Sequence, residues 1–147
     1  MADSPIRGYG NLAEVLAEIR RDPGRIVFAA GATDLIPRMR SEGIGWDLLV
    51  DLSQVCDLRY IREEKGRIRI GATTSFSEIA ASSLIRAKAL CLAQAAAQVG
   101  SAQIRNRATL GGNIANAAPA GDSLPSLCVL EAWVHTVGPR QERTVPV

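Results

Sequence analysis

Hydrophobic positions recur with alternating helical and strand periods over the first 57 residues. A capping box formed by Asn11 and Glu14 predicts the start of an amphipathic helix, which ends at Pro23-Gly24. The pattern then predicts, in order, a buried strand over residues 25–30, a short helix over 35–40 and a second strand over 46–52. Such alternation of strands and helices is typical of an α/β fold.

The pattern changes after residue 57, which predicts a first lobe of about 1–57 and a second of about 58–147. Ser75 and Glu78 form another capping box, for a short helix through Ala80. The remaining predictions are a hairpin of residues 60–62 and 67–70, a helix over 85–99, an irregular stretch over 101–123, a helix up to 131 and a hairpin of 133–137 and 144–147. Because the last strand runs into the C-terminus without a closing element, we expect a truncated chain.

Length and charge narrow the class of protein. A chain of 147 residues corresponds to about one domain, 1–147. The net charge of +2 and the absence of a Lys/Arg run give no electrostatic reason to expect a nucleic acid or membrane partner. No stretch approaches the roughly 18 apolar residues of a membrane span. We therefore expect a soluble, cytoplasmic protein.

Cysteine and histidine usage argues against a metal site in this chain. Cys56, Cys91 and Cys128 are scattered and form no CxxC motif, which predicts buried thiols in a reducing compartment. Their number is too small to ligate an iron–sulfur cluster without other ligands. His135 is the single histidine, which excludes most zinc-site arrangements. No metal ligand is predicted.

A loop between the first predicted strand and the following helix is the first candidate site. It consists of Ala30, Gly31, Ala32, Thr33, Asp34 and Leu35. Glycine allows φ > 0 and a close approach of a ligand, and N–H groups at a helix start attract an anion. Thr33 adds a hydroxyl donor, and Asp34 is interpreted as the N-cap of its own helix. The alternative is an ordinary turn that binds no ligand.

The second candidate site is a glycine pair in the irregular stretch. It runs through Thr109, Leu110, Gly111, Gly112, Asn113, Ile114 and Ala115. Two adjacent glycines can adopt the left-handed conformation and present a nest of N–H groups, which suits a phosphate or the edge of a flavin. Arg105 and Arg107 flank this loop, where they either steer phosphate or form a solvated face.

Asp122 follows the second loop and is a candidate acceptor for sugar or ribityl hydroxyls. The alternative is that Asp122 or Ser123 caps the next helix. The chain has no GxGxxG, Walker or Ser-His-Asp pattern, and no residue resembles a general base beside a substrate pocket. No catalytic residue is therefore assigned.

The two loops, in this order and about 80 residues apart, resemble the FAD-binding medium subunit of the molybdenum hydroxylases. That family includes xanthine dehydrogenase and aerobic carbon monoxide dehydrogenase. Its first motif, Ala-Gly-Gly-(Thr/His)-(Asp/Ser)-Leu, matches residues 30–35 with Ala32 at the second glycine, and its second, (Thr/Ser)-(Ile/Leu)-Gly-Gly-Asn-Ile, matches 109–114. The segments at 70–73, 103–106 and 134–135, and Pro119 with Asp122, are also similar to the family.

The resemblance implies a two-lobed α/β (α+β) FAD-binding domain of the PCMH type, without the C-terminal part of the family subunit. Residues 31–35 would bind the FAD pyrophosphate, Asp122 would hold ribityl hydroxyls, and the contacts to the phosphates and the flavin would come from Thr109, Gly111, Gly112 and Asn113. Val99 stands where some relatives have an aromatic residue against the cofactor. If Ala32 needed φ > 0, the strain would be about 1 kcal/mol or more.

By the same resemblance, the chain is a subunit of an oxidoreductase whose substrate reacts elsewhere. Electrons would leave a molybdopterin cofactor in a large partner subunit, pass two [2Fe-2S] clusters of a small iron–sulfur subunit, and reach NAD or another acceptor through FAD. One alternative is a covalent-flavin alcohol oxidase, which conflicts with the position of His135. Another is a truncated, non-catalytic scaffold that docks partner subunits without flavin.

Overall fold

The first part of the chain forms a small parallel sheet with two helices. The structure, a computed structural model, describes residues 5–21 and 24–147. The elements of this part are β1 (Ile6–Gly8), α1 (Leu12–Arg21), β2 (Ile26–Ala29), α2 (Leu35–Glu42), β3 (Leu48–Asp51) and a 3-10 turn over Cys56–Leu58. The predicted strands and helices are all present, with ends that differ by one or two residues.

The start of α1 confirms the predicted helix N-terminus. Asn11 Oδ1 accepts the N–H of Glu14 at 3.0 Å, whereas the Glu14 carboxylate accepts the N–H of Gly10 rather than that of Asn11, also at 3.0 Å. The predicted end at Pro23 lies outside the described residues, and α1 extends to Arg21. One face of α1 contributes Val15 to a hydrophobic core.

Three parallel strands form the sheet of this part, in the order β1-β3-β2. β3 is central: Leu49 pairs with Ile6 on one side and with Val27 on the other. Leu48, Leu49 and Val50 are buried, as expected for a strand with neighbours on both sides. Because β2 is parallel to β3, its C-terminal end lies at the same edge as that of β3 and leads directly into the first candidate loop.

The second part of the chain consists of short helices between two hairpins. Its elements are β4 (Ile61–Glu64), β5 (Arg67–Ile70), α3 (Phe76–Ala81), α4 (Ser83–Lys88), α5 (Leu90–Gln98), α6 (Ala102–Arg107), α7 (Leu110–Asn116), α8 (Leu124–Val129), β6 (Trp133–Val137) and β7 (Glu142–Pro146). β4 pairs with β5, and β6 with β7, each antiparallel. Both predicted hairpins are confirmed.

Helices α3 and α5 form the centre of a second hydrophobic core, in which Phe76, Ile79, Ile85 and Ala96 are almost completely buried. The capping box at Ser75 is confirmed: its hydroxyl accepts the N–H of Glu78, and the Glu78 carboxylate accepts that of Ser75. The two cores lie on either side of residue 57 in sequence, apart from Leu58, which packs against the first. The exact boundary between two lobes stays a prediction.

The predicted helix over residues 85–99 was wrong as a single element. Ser82 caps a separate helix α4 by accepting the N–H of Ile85 at 3.3 Å. Ala89 then ends α4 and begins α5: its N–H bonds to the carbonyl of Ile85, and its own carbonyl accepts the N–H of Leu92 and Ala93. Ala89 is buried, and its φ of −144 and ψ of 53 lie outside the helical region. The chain therefore changes direction at this residue, between α4 and α5.

The prediction of an irregular stretch over residues 101–123 was also partly wrong, because α6 and α7 lie within it. The side chains of Ser101 and Thr109 cap these helices by accepting the N–H of Ile104 and Gly112. Capping and the burial of Leu110 outweigh the low helix propensity of the glycines.

The cysteines were predicted to be buried, but Cys56, Cys91 and Cys128 are all exposed. Helix α5 directs Leu92 and Ala93 to the core, which leaves Cys91 on its outer side. None of the helices within residues 5–21 and 24–147 is long and apolar enough to cross a bilayer.

Candidate functional site

The first candidate loop connects β2 to α2, as predicted. Within the described residues, no backbone N–H of residues 31–35 donates a hydrogen bond to the protein; the first such bond runs from the N–H of Ile36 to the carbonyl of Ala32 at 3.2 Å. The first N–H groups of a helix lack intrahelical acceptors. A strand–loop–helix junction with consecutive free N–H groups is suited to bind an anion.

Asp34 occupies the N-cap position of α2, but its carboxylate accepts no capping hydrogen bond. The predicted side-chain cap was therefore wrong. The reason is the backbone conformation: Asp34 has φ −103 and ψ −39, whereas a side chain that caps a helix usually belongs to a residue in the extended region. Asp34 is exposed beside the free N–H groups.

Ala32 has φ +57, in the left-handed region. This is the condition under which the sequence predicted strain, and a left-handed alanine costs about 1–2 kcal/mol relative to its usual conformation. The carbonyl of Ala32 still accepts the first hydrogen bond of α2, from Ile36. The loop thus keeps the turn that a glycine would adopt without strain.

The second motif does not form a nest of N–H groups, and that prediction was wrong. Gly111 and Gly112 lie in the first turn of α7, and neither is among the described residues with positive φ. Their N–H groups are used within the protein: Gly111 donates to the carbonyl of Ala72 at 2.9 Å, and Gly112 to Thr109 Oγ1 at 3.2 Å. The Asn113 N–H donates to the Thr109 carbonyl.

Glycine at positions 31 and 111 allows backbones to pack closely. A Cβ on Gly111 would lie 2.6 Å from the carbonyl oxygen of Ala72. A Cβ on Gly31 would lie 2.0 Å from the carbonyl oxygen of Arg107 and 3.0 Å from the Cα of Ala108. Since Ala108 directly precedes Thr109, the two motifs are adjacent in space, as the sequence predicted.

A side-chain link joins the helices that follow the two motifs. Arg38 on α2 donates through Nη1 to Asn116 Oδ1 at the end of α7, at 3.2 Å. The same guanidinium binds both carboxylate oxygens of Glu42 at 3.1 Å. This hydrogen-bonded pair lowers the pKa of the Glu42 carboxyl. Sequence reasoning missed Arg38, because only the folded structure brings Asn116 beside it.

Asn113 and Asp122 have different environments. The fully buried Ser123 donates its hydroxyl to Asn113 Oδ1 at 2.7 Å, which fixes the side chain and leaves its amide N–H₂ group without a partner among the described residues. Asp122 is exposed and takes part in no hydrogen bond of the described residues. Ser123, one of the two residues expected to cap α8, occupies its N-cap position, but its side chain makes no capping hydrogen bond.

A cavity of about 70 Å³, here named the polar cavity, lies where the two motifs meet. It is lined by Ala30, Ser53, Arg59, Thr73, Ser75, Asn106, Arg107 and Thr109. Arg59 donates to Glu78 at 2.9 Å at its edge. Burial opposes the charged form of Glu78, but hydrogen bonds from Ser75 and Arg59 outweigh it and keep the pKa of this carboxyl below its usual value.

Comparison with known proteins identifies the family of the chain. The sequence model of the family described as "FAD binding domain in molybdopterin dehydrogenase" matches residues 9–147. The carbon monoxide dehydrogenase medium chain of Hydrogenophaga pseudoflava is 36% identical over 140 residues, which cover 95% of this chain and 48% of that relative. The nicotinate dehydrogenase FAD-subunit of Eubacterium barkeri is 39% identical over 105 residues, 71% of this chain and 36% of that relative.

Solved structures share the fold of this chain. A structure of the Hydrogenophaga pseudoflava carbon monoxide dehydrogenase that lacks the Mo-pyranopterin moiety has a TM-score of 0.89 and 31% identity, covering 96% of this chain and 49% of its own. Quinoline 2-oxidoreductase from Pseudomonas putida 86 has a TM-score of 0.88 and 26% identity over the same share of each chain.

The fold and the paired motifs define a mixed α/β cofactor-binding domain. The chain belongs to the family of FAD binding domains of molybdopterin dehydrogenases. It spans about half the length, or less, of the curated relatives it matches.

Proposed function

We propose that this chain binds FAD as the electron-transfer subunit of a molybdopterin-dependent hydroxylase or dehydrogenase. The observation that carries the proposal is the contact of the two motifs: Gly31, in the loop with the free N–H groups, packs on the backbone of Arg107 and Ala108, which directly precede Thr109. Two separate motifs that meet in this way can hold a ligand with two phosphates.

The first loop supplies donors for the FAD pyrophosphate. The N–H groups of residues 31–35 have no protein partner among the described residues, and the Thr33 hydroxyl adds a side-chain donor. N–H groups at the start of a helix favour negative charge through the helix dipole as well as through hydrogen bonds. Ala30 and Leu35 delimit the loop, since they follow β2 and begin α2.

The second motif contributes side chains rather than main-chain donors. The Thr109 hydroxyl hydrogen and the Asn113 amide remain available to the phosphates and the flavin, because Thr109 Oγ1 and Asn113 Oδ1 act only as acceptors within the protein. Gly111 and Gly112 keep this surface free of side chains. The exposed Asp122 would accept hydrogen bonds from ribityl hydroxyls.

FAD supplies the redox chemistry, and the protein binds and orients it. The relatives are named as FAD or medium subunits of nicotinate, carbon monoxide and xanthine dehydrogenases. By analogy, the partners here are a large molybdopterin-binding subunit and a small [2Fe-2S] subunit, and NAD or another molecule is the final acceptor. We place this assembly in the cytoplasm.

The absorbance spectrum of the purified full chain tests this proposal. Flavin bands, or uptake of added FAD measured by isothermal titration calorimetry, are the expected result. A colourless protein that binds no added FAD, but still associates with the large and small partner subunits, would instead identify a non-catalytic scaffold. Two features of the structure would explain such an outcome: the strained backbone of Ala32, and the N–H groups of α7 that already bond within the protein.

A further inference from the structure

Helix α2 has little hydrophobic contact with the rest of the protein. None of its residues is buried, and Leu35 and Met39 are only half-buried. A helix without a buried face gains little from hydrophobic packing, so its polar contacts have more influence on where it lies. The free N–H groups of residues 31–35 lead directly into this helix, and their direction therefore depends on its position.

One side-chain hydrogen bond joins α2 to another element among the residues that the structure describes. Arg38 Nη1 donates to Asn116 Oδ1 at 3.2 Å, and Asn116 is the last residue of α7. The other side-chain bonds of α2, made by Arg38 to Glu42 and by Ser41 to carbonyls of the preceding turn, stay within the helix. Since α2 follows the first motif and α7 contains most of the second, this bond connects the two elements that carry the motifs.

Glu42 fixes the orientation of the Arg38 side chain. Its two carboxylate oxygens accept hydrogen bonds from Nε and Nη2, each at 3.1 Å, which leaves Nη1 for Asn116. A planar guanidinium can make such a bidentate pair and a third bond at once, whereas a lysine ammonium cannot reproduce this fork. The Arg38 and Glu42 side chains are 46% and 50% exposed, and exposed ion pairs add little to stability. Stabilisation alone is therefore a poor account of this arrangement.

Backbone strain occurs at the motif end of α2 and at the far end of α7. Ala32, whose carbonyl accepts the first hydrogen bond of α2, has φ +57. Ala117, which follows Asn116 and ends α7, has φ +48. Left-handed alanines are strained, and such residues persist where the surrounding structure holds them in place. The bond between Arg38 and Asn116 joins the two helices between these strained residues.

We propose that Arg38 is a positioning residue for the cofactor. Its hydrogen bond to Asn116 holds α2 against α7 and so keeps the N–H groups of residues 31–35 directed to a ligand that the second motif also contacts. This role rests on the proposed function, and it requires no contact between Arg38 and the ligand.

Calorimetric titration of the full chain with FAD tests the positioning role. Asn116→Ala breaks the bond without changing the charge, and Arg38→Gln breaks it from the other side. Each variant should raise the Kd for FAD roughly two- to tenfold, the range for one typical hydrogen bond. The double variant should bind no more weakly than either single one, because both substitutions remove the same bond. Arg40→Gln, which removes another exposed charge of α2, and Gln98→Ala, at the exposed end of α5, are the matched controls.

Arg38→Lys separates position from charge. It retains the positive charge but not the fork, so it should lose as much affinity as Arg38→Gln. If Arg38→Lys binds FAD like the wild type, the charge of residue 38 matters and its geometry does not, which overturns the inference. The loss should also be confined to ligands with phosphates: ADP should lose affinity by the same factor as FAD, whereas an equal loss for riboflavin would indicate general destabilisation and overturn the positioning role.

Amide hydrogen exchange of residues 36–42, followed by NMR in the ligand-free chain, tests the bond independently of FAD. Asn116→Ala and Arg38→Gln should accelerate exchange in α2 roughly two- to tenfold and leave α5 unchanged. Unchanged exchange in α2 would show that the bond does not hold the helix, and would overturn the inference whatever the FAD affinity.

The two measurements separate failure of this inference from failure of the proposed function. Equal FAD affinity in the wild type, Arg38→Gln and Asn116→Ala overturns the positioning role alone. A wild type that binds no FAD overturns the proposed function, and with it the role of Arg38 toward the cofactor; accelerated exchange in the variants would then identify Arg38 as a structural contact of α2 only.

Discussion

Gly31 and Arg107 contact each other so closely that a Cβ on Gly31 would lie 2.0 Å from the Arg107 carbonyl oxygen. Real Cβ atoms do not approach an oxygen to this distance, so any side chain at residue 31 must move the loop away from α6. Gly31 is the second residue of the first motif, and Arg107 lies two residues before Thr109, the first residue of the second motif. One backbone contact therefore sets the spacing of both motifs.

The first prediction concerns Gly31→Ala. The added methyl group should separate the first loop from Arg107 and abolish FAD retention, at a cost of about 1–3 kcal/mol in the free energy of unfolding, the range for overpacking. Flavin absorbance after purification and urea unfolding measure the two effects. Gly45→Ala is the matched control, because a Cβ there meets no atom within 4 Å. Normal flavin content in Gly31→Ala would contradict the assigned contact.

The sequence predicted the first loop well because local signals agree there. A hydrophobic strand ends at Ala29, a glycine follows and a helix begins at Leu35. The second motif was harder to predict, since adjacent glycines argue for a loop by propensity alone. The caps Ser101 and Thr109 stand in the sequence, but the burial of Leu110 that makes α7 favourable depends on tertiary packing.

The polar cavity could not be predicted from the sequence. Ser53 follows β3, Thr73 follows β5, and Arg107 ends α6. No periodicity or short motif connects three polar residues that are separated by 20 or more positions. Only the packing of the chain brings these three residues to one place.

Ala32→Gly should stabilise the protein. Ala32 has φ +57, where glycine is unstrained, so we expect a gain of about 1 kcal/mol in the free energy of unfolding and a higher Tm. Thermal melting followed by circular dichroism is the measurement. Ala87→Gly, on an exposed position within α4, should have the opposite sign and cost about 0.5–1 kcal/mol. An unchanged or lower Tm in Ala32→Gly would show that the turn differs from the one described.

Glu78 should make stability depend on pH at the acidic end. Hydrogen bonds keep its pKa in the folded state below the usual value, so its contribution is complete above the usual carboxyl pKa and is lost as pH falls through the lowered one. Glu78→Gln should cost about 0.5–1 kcal/mol at pH 7, the low end for a cap because Glu78 is partly exposed. Urea unfolding at pH 7 and pH 3 should show this difference shrinking. Glu131→Gln, which removes an exposed carboxylate elsewhere, controls for the loss of one negative charge, and a difference in Glu78→Gln that is constant with pH would refute the assignment.

Asp122→Asn should weaken FAD binding without affecting the fold. Asp122 is exposed and takes part in no hydrogen bond of the described residues, so its carboxylate is not needed for packing. If it accepts hydrogen bonds from ribityl hydroxyls, its replacement by an amide with one acceptor oxygen should raise the Kd for FAD roughly tenfold, the effect of one charge-assisted hydrogen bond. Calorimetry with FAD and with riboflavin should show the same relative loss, because both carry the ribityl chain, whereas ADP binding should stay unchanged. Glu131→Gln, which removes an exposed carboxylate elsewhere, should bind all three ligands like the wild type. Equal loss for ADP would place Asp122 at the nucleotide end instead.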